Sequence, residues 1–218
     1  MERAHREPVN GWLHFVGAVL ALAGLAVLVA EARGQRSFRH LLAAVSFGAT
    51  STLLFGASAL YHLRPGSRRA SLYRRLDHAM IYIFIAGTYT AVCLVPLWDT
   101  VAGRVLLALV WLLAVAGVVV EALPKRPPRG VATALYLGLG WVGVVAAPTF
   151  ARESPPGLLR WLFIGGLFYT AGAIVYWRKW PRGRPGVFGF HELWHACVVL
   201  ASASHYWAVL EFLRPPAS

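Results

Sequence analysis

Apolar residues dominate seven stretches of this chain, each long enough to cross a lipid bilayer. A transmembrane helix needs about 20 predominantly apolar residues. Windows of that length lie at about 11–31, 41–62, 78–97, 102–123, 131–150, 158–177 and 190–212. The segments between these windows are short and polar, which leaves no room for a separate soluble domain. The pattern therefore predicts an all-α, polytopic membrane protein whose residues 1–218 form a single domain, a seven-transmembrane helix bundle.

The composition supports a membrane protein. Hydrophobic residues make up 58% of the 218 residues and charged residues only 14%, which is too apolar for an ordinary soluble domain. The first apolar window exceeds the core of about 7–15 residues that a signal peptide carries, and no A-x-A-like cleavage site precedes the next loop. We therefore interpret this window as the first span.

The distribution of positive charge predicts the orientation of the bundle. If the seven spans alternate in direction, two thirds of the 21 Lys and Arg residues fall on the side that holds the N-terminus. The positive-inside rule then places the N-terminus in the cytoplasm and the C-terminus outside, with the chain in the cytoplasmic (inner) membrane. The net charge of +12 thus reflects topology and contact with anionic lipids, and nucleic acid is not an expected partner. The basic residues on the outer side are Arg33, Arg36, Arg39, Arg104, Arg152, Arg160 and Arg214.

Four ionisable residues near span ends are the main functional candidates, because such groups are costly inside a membrane. The second span ends at His62, the third begins beside Asp77, and the seventh begins with His191 and His195. In the predicted topology, all four lie at the cytoplasmic face. Three segments distant in sequence therefore bring their best metal ligands to the same level.

Helical spacing refines this arrangement. Ser58 and His62 are four residues apart and share one helix face, as do His191 and His195, and the deeper member of each pair lies about 6 Å further into the membrane. Three His ligands leave the fourth position of a zinc ion open for water, which is typical of a catalytic site. Asp77 could orient or deprotonate that water, or accept a hydrogen bond from a His ring.

Each of these residues also has a structural interpretation. A His pair on an apolar helix is often a pair of core histidines, and a Ser on a span usually packs against another helix. Asp77 beside Arg74 and Arg75 could form an interfacial ion pair. The convergence of all the candidates on one face and one level favours the metal site.

The start of the first span holds weaker candidates. His14 could line the same cavity, with Glu7 and Asn10 just outside it, although helix capping and packing explain Asn10 and His14 nearly as well. Tyr82 and Tyr89 could shape the cavity, although an aromatic helix face usually serves packing.

Residues 191–195 read H-E-L-W-H, which matches the H-E-x-x-H signature of zinc proteases. A protease would use Glu192 as general base and would need a third ligand. In the extended signature that ligand comes six residues after the second His, a position occupied here by Ala201. His205 lies about 15 Å along the helix from His195 and cannot share its metal. The spacing therefore argues against peptide hydrolysis.

Four segments together resemble the hemolysin III family of bacterial membrane proteins: "EPVNGWLH", "SALYH", "LDHAMIYIFIAGTYT" and "FHELWHACVVLASASHYWAV". The similarity extends over residues 7–212 and places the chain near the progestin and adipoQ receptors and the alkaline ceramidases. The resemblance implies a seven-helix fold with a zinc ion near the cytoplasmic side, held by His62, His191 and His195. It also implies that Asp77 contacts the zinc-bound water and that Ser58 lies close by.

These observations predict a zinc-dependent, ceramidase-like hydrolase of lipid amides or esters, with a membrane lipid as its substrate. The alternative is a non-enzymatic membrane factor that affects cytolysis, permeability or membrane state and carries a structural or regulatory zinc. Three ligands and a nearby carboxylate favour catalysis, because a structural site normally has a fourth protein ligand. A transporter is a third possibility, but the middles of the spans hold few polar residues.

Overall fold

A computed structural model describes residues 8–125, 127–184 and 187–214 of the chain. This part of the chain is built from α-helices and one 3-10 helix, with no strand. Seven of its helical segments are long and apolar enough to cross a membrane. The predicted seven-helix membrane fold is therefore confirmed. Glu7 lies outside the described ranges, as do Arg3, Arg6 and Arg126, which are three of the basic residues counted on the N-terminal side.

The helices follow the predicted windows, with small extensions at their ends. The third helix shows the largest extension, because it begins eight residues before the apolar window and so includes the turns that carry Arg74 and Arg75. The elements are α1 (Pro8–Gly34), α2 (Phe38–Leu63), α3 (Ala70–Leu94), α4 (Val101–Ala122), α5 (Arg129–Trp141), a 3-10 helix (Val142–Ala146), α6 (Ala147–Glu153), α7 (Pro156–Arg178) and α8 (Phe190–Leu213).

The spans pack as a closed ring. Each of α1 to α4 packs against the next, α4 contacts α5, α5 packs against α7, and α7 packs against α8. The ring closes where α8 meets α1, and α8 also contacts α2 and α3. The last helix therefore lies against the first three spans. The start of α8 and the end of α2 come together at what we call the His62 end of the bundle.

Small residues allow close helix packing beside the candidate site. A Cβ atom on Gly11 would lie 2.6 Å from the Leu63 side chain, so any larger residue would force that side chain to move where α1 approaches the end of α2. A Cβ atom on Gly172 would lie 2.7 Å from Cys197 and 2.9 Å from Trp194, where α7 meets α8. Small residues serve this purpose in membrane bundles, because lipid provides no hydrophobic force to drive helices together.

The fifth span is not one continuous α-helix, in contrast to the single element predicted over 131–150. It consists of α5, the 3-10 helix and α6, and the break comes just before Pro148 in the first turn of α6. Proline lacks an N–H group and clashes with the carbonyl four residues earlier, which interrupts a helix. The Tyr89 hydroxyl on α3 braces this break, since it donates to the Gly140 carbonyl (2.7 Å) and accepts from the Gly143 N–H (2.8 Å). Broken backbone inside a membrane needs such internal partners.

Replacement of Tyr89 by Phe should destabilise the fold, because it removes both hydrogen bonds at the break. We expect the free energy of unfolding to fall by about 1–3 kcal/mol, the usual cost of leaving a buried polar group unpaired. Thermal unfolding in detergent would measure this loss as a lower melting temperature. Tyr73→Phe on the same helix is the matched control, and an equal melting temperature for the two variants would contradict the bracing role.

Candidate metal centre

Three histidines from two helices form a compact cluster at the His62 end. His62 lies in the last turn of α2, and His191 and His195 lie in the first turns of α8. Their potential ligand atoms all lie within 4.8 Å of one another. The ring centre of His62 is 5.2 Å from that of His191 and 4.8 Å from that of His195. A single metal ion can therefore contact all three rings.

The local sequence explains how the rings come together. Gly189 has an extended backbone and precedes α8, which begins at Phe190, so His191 and His195 fall on successive turns of one helix face. Their rings lie 4.8 Å apart with an angle of 32° between the planes. The sequence prediction that residues 62, 191 and 195 converge agrees with this arrangement.

The cluster fits a metal ion in its chemistry as well as in its spacing. His195 is 4% exposed, and its Nε2 atom is buried without a hydrogen-bond partner among the described residues. A buried polar atom without a partner is costly, and a metal ion would relieve that cost. Three neutral imidazoles form a donor set that suits zinc and several other transition metals.

Ser58 and Asp77 share one cavity with two of the histidines. Both side chains are buried, and both line the same cavity as His191 and His195. The Ser58 hydroxyl is buried and has no hydrogen-bond partner in the part of the chain that the structure describes. The predicted catalytic pair therefore lies beside the histidine cluster, on the side that faces the cavity.

The cavity is long, narrow and mostly apolar. Its volume is about 340 Å³. On α3 its lining runs from Arg74 to Val92, and on α8 from His191 to His205. At 1.5 Å per residue, these distances are about 27 Å and about 21 Å, which is most of the thickness of a bilayer core. The cavity thus extends from the histidine cluster deep into the bundle.

Helix α1 meets α8 through two polar contacts, one helical turn apart. His14 Nε2 lies 2.8 Å from His195 Nδ1, and Asn10 Nδ2 donates to Glu192 Oε1 at 3.2 Å. All four side chains are buried. The sequence left two interpretations open for His14 and Asn10, namely a place at the candidate site or a role in helix capping and packing. These contacts favour a place next to the histidine cluster.

The contact of Glu192 also bears on the protease signature. Its side chain is 5% exposed and bonds to Asn10 on α1, and it is absent from the described lining of the cavity. A general base must reach the reacting group. The Glu of H-E-L-W-H is therefore engaged in packing α8 against α1, while Asp77 and Glu121 are carboxylates that line the cavity.

Sequence reasoning missed a second polar group at the His62 end. Glu121, on the last turn of α4, is 1% exposed and accepts a hydrogen bond from the Tyr136 hydroxyl at 3.2 Å. Its other oxygen lies 3.6 Å from His78 Nδ1. The only signal in the sequence is a single acidic residue after a run of valines. Arg75 also binds the end of α4, since its guanidinium donates to the Glu121, Ala122 and Leu123 carbonyls.

The remaining candidates lie away from the cluster. His205 lies at the far part of the cavity lining, and its Nε2 is 3.2 Å from the Leu162 carbonyl. Tyr82 packs tightly against Gly117 and Tyr136, whereas Tyr89 lines the cavity wall. These positions agree with the prediction that His205 does not share a metal with the other histidines.

Comparison with known proteins identifies the family of this chain. Residues 2–206 match the family described as "Haemolysin-III related". The protein belongs to this family. The "Hemolysin-3 homolog" of Bacillus subtilis (strain 168) is 33% identical over 206 residues, which cover 94% of this chain and 92% of that protein. The "Hemolysin-3" of Bacillus cereus is 31% identical over 213 residues, with 97% and 94% covered.

The haemolysin-III related chain is also similar to eukaryotic receptor proteins. The "Adiponectin receptor protein" of Drosophila melanogaster is 23% identical over 229 residues, which cover 96% of this chain but only 51% of the receptor. The "Progestin and adipoQ receptor-like protein 1" of Caenorhabditis elegans is 24% identical over 226 residues, with 95% and 52% covered. The chain therefore spans about half the length of these receptors, and the family resemblance predicted from the sequence is confirmed.

Proposed function

We propose that this protein is a zinc-dependent hydrolase that cleaves a lipid amide or ester within the membrane. One observation carries the proposal. A three-histidine cluster that can hold a metal ion lies at one end of a long apolar cavity, and Ser58 and Asp77 line the same cavity. A site that only stabilised the fold would not need to lie at one end of a deep, mostly apolar cavity.

His62, His191 and His195 would hold the zinc ion through their ring nitrogens. When bound, zinc supplies a Lewis acid that polarises a carbonyl oxygen and lowers the pKa of a water molecule toward about 7. Asp77 acts as the general base that accepts a proton from the attacking water. The Ser58 hydroxyl donates a hydrogen bond to the carbonyl oxygen as negative charge develops there.

The lining of the cavity supports a lipid as the class of substrate. Asp77 and Ser58 lie in the lining with His191 and His195, and mostly apolar side chains line the rest over about 21 Å, with a few polar groups such as Thr88 and His205. A molecule with one long apolar chain and a carbonyl at its head matches this distribution, with the chain in the channel and the carbonyl beside Asp77. The resemblance to the alkaline ceramidases supports an amide linkage.

Zinc analysis of the purified protein tests the metal site. We expect about one zinc ion per chain, because three ligands and a water complete its usual coordination of four. His62→Ala, His191→Ala and His195→Ala should each lose the metal. Two controls should keep it. His40→Ala lies near the opposite end of the same helix as His62, and His205→Ala lies about 15 Å along α8 from His195.

A wild-type protein that neither carries nor takes up zinc would overturn the hydrolase proposal. The histidines would then be packing residues, and the protein would be better described as a membrane factor without enzymatic activity. If any of the three ligand variants still binds a full equivalent of zinc, the residue replaced in that variant is not a zinc ligand.

Release of fatty acid from a panel of lipid amides and esters tests the reaction. We expect Asp77→Asn to keep its zinc and to lower turnover by about 10²–10⁴-fold, the usual contribution of a general base. Ser58→Ala should keep its zinc and lose activity to a smaller degree. Asp99→Asn is the matched control, since this carboxylate is highly exposed. Equal turnover in Asp77→Asn and Asp99→Asn would contradict the role of Asp77.

We further propose that the His62 end faces the cytoplasm, with the chain in the cytoplasmic membrane of a bacterium. The excess of Arg and Lys on that side supports this orientation. Thiol labelling can measure it with two matched variants, because Ser37 follows α1 and Ser67 follows α2 in short, partly exposed loops.

In right-side-out vesicles, we expect an impermeant thiol reagent to label Ser37→Cys but not Ser67→Cys, because only the first loop faces the outside. Inside-out vesicles should give the opposite pattern. The unmodified protein is the background control, because its two cysteines are buried. Labelling of Ser67→Cys alone in right-side-out vesicles would reverse the orientation.

A further inference from the structure

The pair formed by His14 and His195 links the first helix to the candidate metal centre. His14 Nε2 and His195 Nδ1 lie 2.8 Å apart, which is hydrogen-bonding distance. The ring centres are 4.1 Å apart and the planes are nearly perpendicular, at 88°. The two side chains are only 3% and 4% exposed. One imidazole must therefore donate to the other, in a place where water does not compete.

The direction of this hydrogen bond decides whether His195 can bind a metal. A neutral imidazole carries one proton, on Nδ1 or on Nε2. If His14 donated, the proton of neutral His195 would reside on Nε2 and block that atom as a ligand. If His195 donates from Nδ1, its Nε2 lone pair is free to face the metal. His14 is then an acceptor at Nε2 and carries its own proton on Nδ1.

The three-histidine cluster favours this second arrangement, although His14 Nδ1 is also buried without a partner among the described residues. His195 Nε2 is buried and has no hydrogen-bond partner among the described residues, whereas Nδ1 is the atom engaged with His14. The set of ligand atoms that lie within 4.8 Å of one another contains His62, His191 and His195, and does not contain His14. His14 thus contacts one member of the cluster through His195 Nδ1 and is not itself a member.

We propose that His14 is a positioning residue that accepts a hydrogen bond from His195 Nδ1 and thereby directs His195 Nε2 at the metal ion. This inference rests on the proposed metal site and extends it to a residue on α1. Partners of this kind fix the tautomer and ring orientation of a ligand, and their loss typically weakens metal binding by 10–100-fold.

Two simpler roles for His14 have to be separated from this one. His14 also packs edge-on against Phe55, with ring centres 5.1 Å apart, so its ring could serve packing alone. It could also matter only because it holds α1 against α8. Asn10 provides the matched comparison for docking, because it makes the second α1–α8 contact one turn earlier, to Glu192.

Zinc affinity, measured by competition with a chelator of known affinity, tests the role of His14. We expect His14→Phe to bind zinc 10–100-fold more weakly than the wild type, because Phe keeps the ring but cannot accept the hydrogen bond. His14→Gln should remain close to wild type, because its carbonyl oxygen can accept from His195 Nδ1. Asn10→Leu should keep wild-type affinity even if it lowers the melting temperature.

A second variant and a spectrum keep the test independent of folding. His14→Asn retains a polar group that is too short to reach His195, and we expect it to weaken zinc binding as His14→Phe does. The visible absorption of the cobalt-substituted protein should change in His14→Phe and His14→Asn, because the ligand geometry changes. It should stay unchanged in His14→Gln and Asn10→Leu.

Three results would overturn the proposal. If His14→Phe binds zinc with wild-type affinity, His14 serves only in packing. Equal losses in His14→Phe and Asn10→Leu would assign the effect to helix docking. Complete zinc loss in His14→Gln, as in His62→Ala, would make His14 a direct ligand. If the wild-type protein binds no zinc, both the proposed metal site and this role of His14 are wrong. If zinc binding is the same in the wild type and in the His14 variants, only the role of His14 is wrong and the metal site stands.

Discussion

The lack of water inside a bilayer is the constraint on which this structure depends. Every buried polar group must find a partner within the protein, because hydrocarbon offers none. Residues with surplus polar atoms are therefore gathered where helices from different parts of the chain meet. At the His62 end, the histidine cluster, the Asn10–Glu192 contact and the Glu121–Tyr136 contact all join separate helices. The same polar groups therefore hold the helices together and form the candidate site.

This arrangement separates two tasks along the membrane normal. The polar end holds the histidine cluster and Asp77, whereas the rest of the cavity, which is mostly apolar, suits an apolar chain. In the proposed hydrolase, the substrate would reach the site from the lipid side and would not first be extracted into water. A mostly apolar lining lowers the local dielectric constant, which strengthens electrostatic interactions at the site.

The ligands could be predicted from sequence because helix periodicity and alternating span direction are strong regularities. They place His62, His191 and His195 at one level without any knowledge of helix packing. The partners of these residues depend on which helices become neighbours. The contact between His14 and His195 joins residues 181 positions apart, and no local pattern records it. The break in the fifth span had a signal in Pro148, but the apolar composition of the window outweighed it, and its brace comes from Tyr89 on another helix.

The attachment of α3 to α4 has a consequence for the reach of Asp77. Residues on both sides of it are held by the end of α4, since Arg75 binds carbonyl groups there and His78 lies beside Glu121. The end of α4, which provides none of the three histidines, therefore fixes the position of the Asp77 carboxylate along the bundle axis. A change in the length or tilt of α4 would shift Asp77 relative to the histidines on α2 and α8, and so alter the distance between the carboxylate and the histidine cluster.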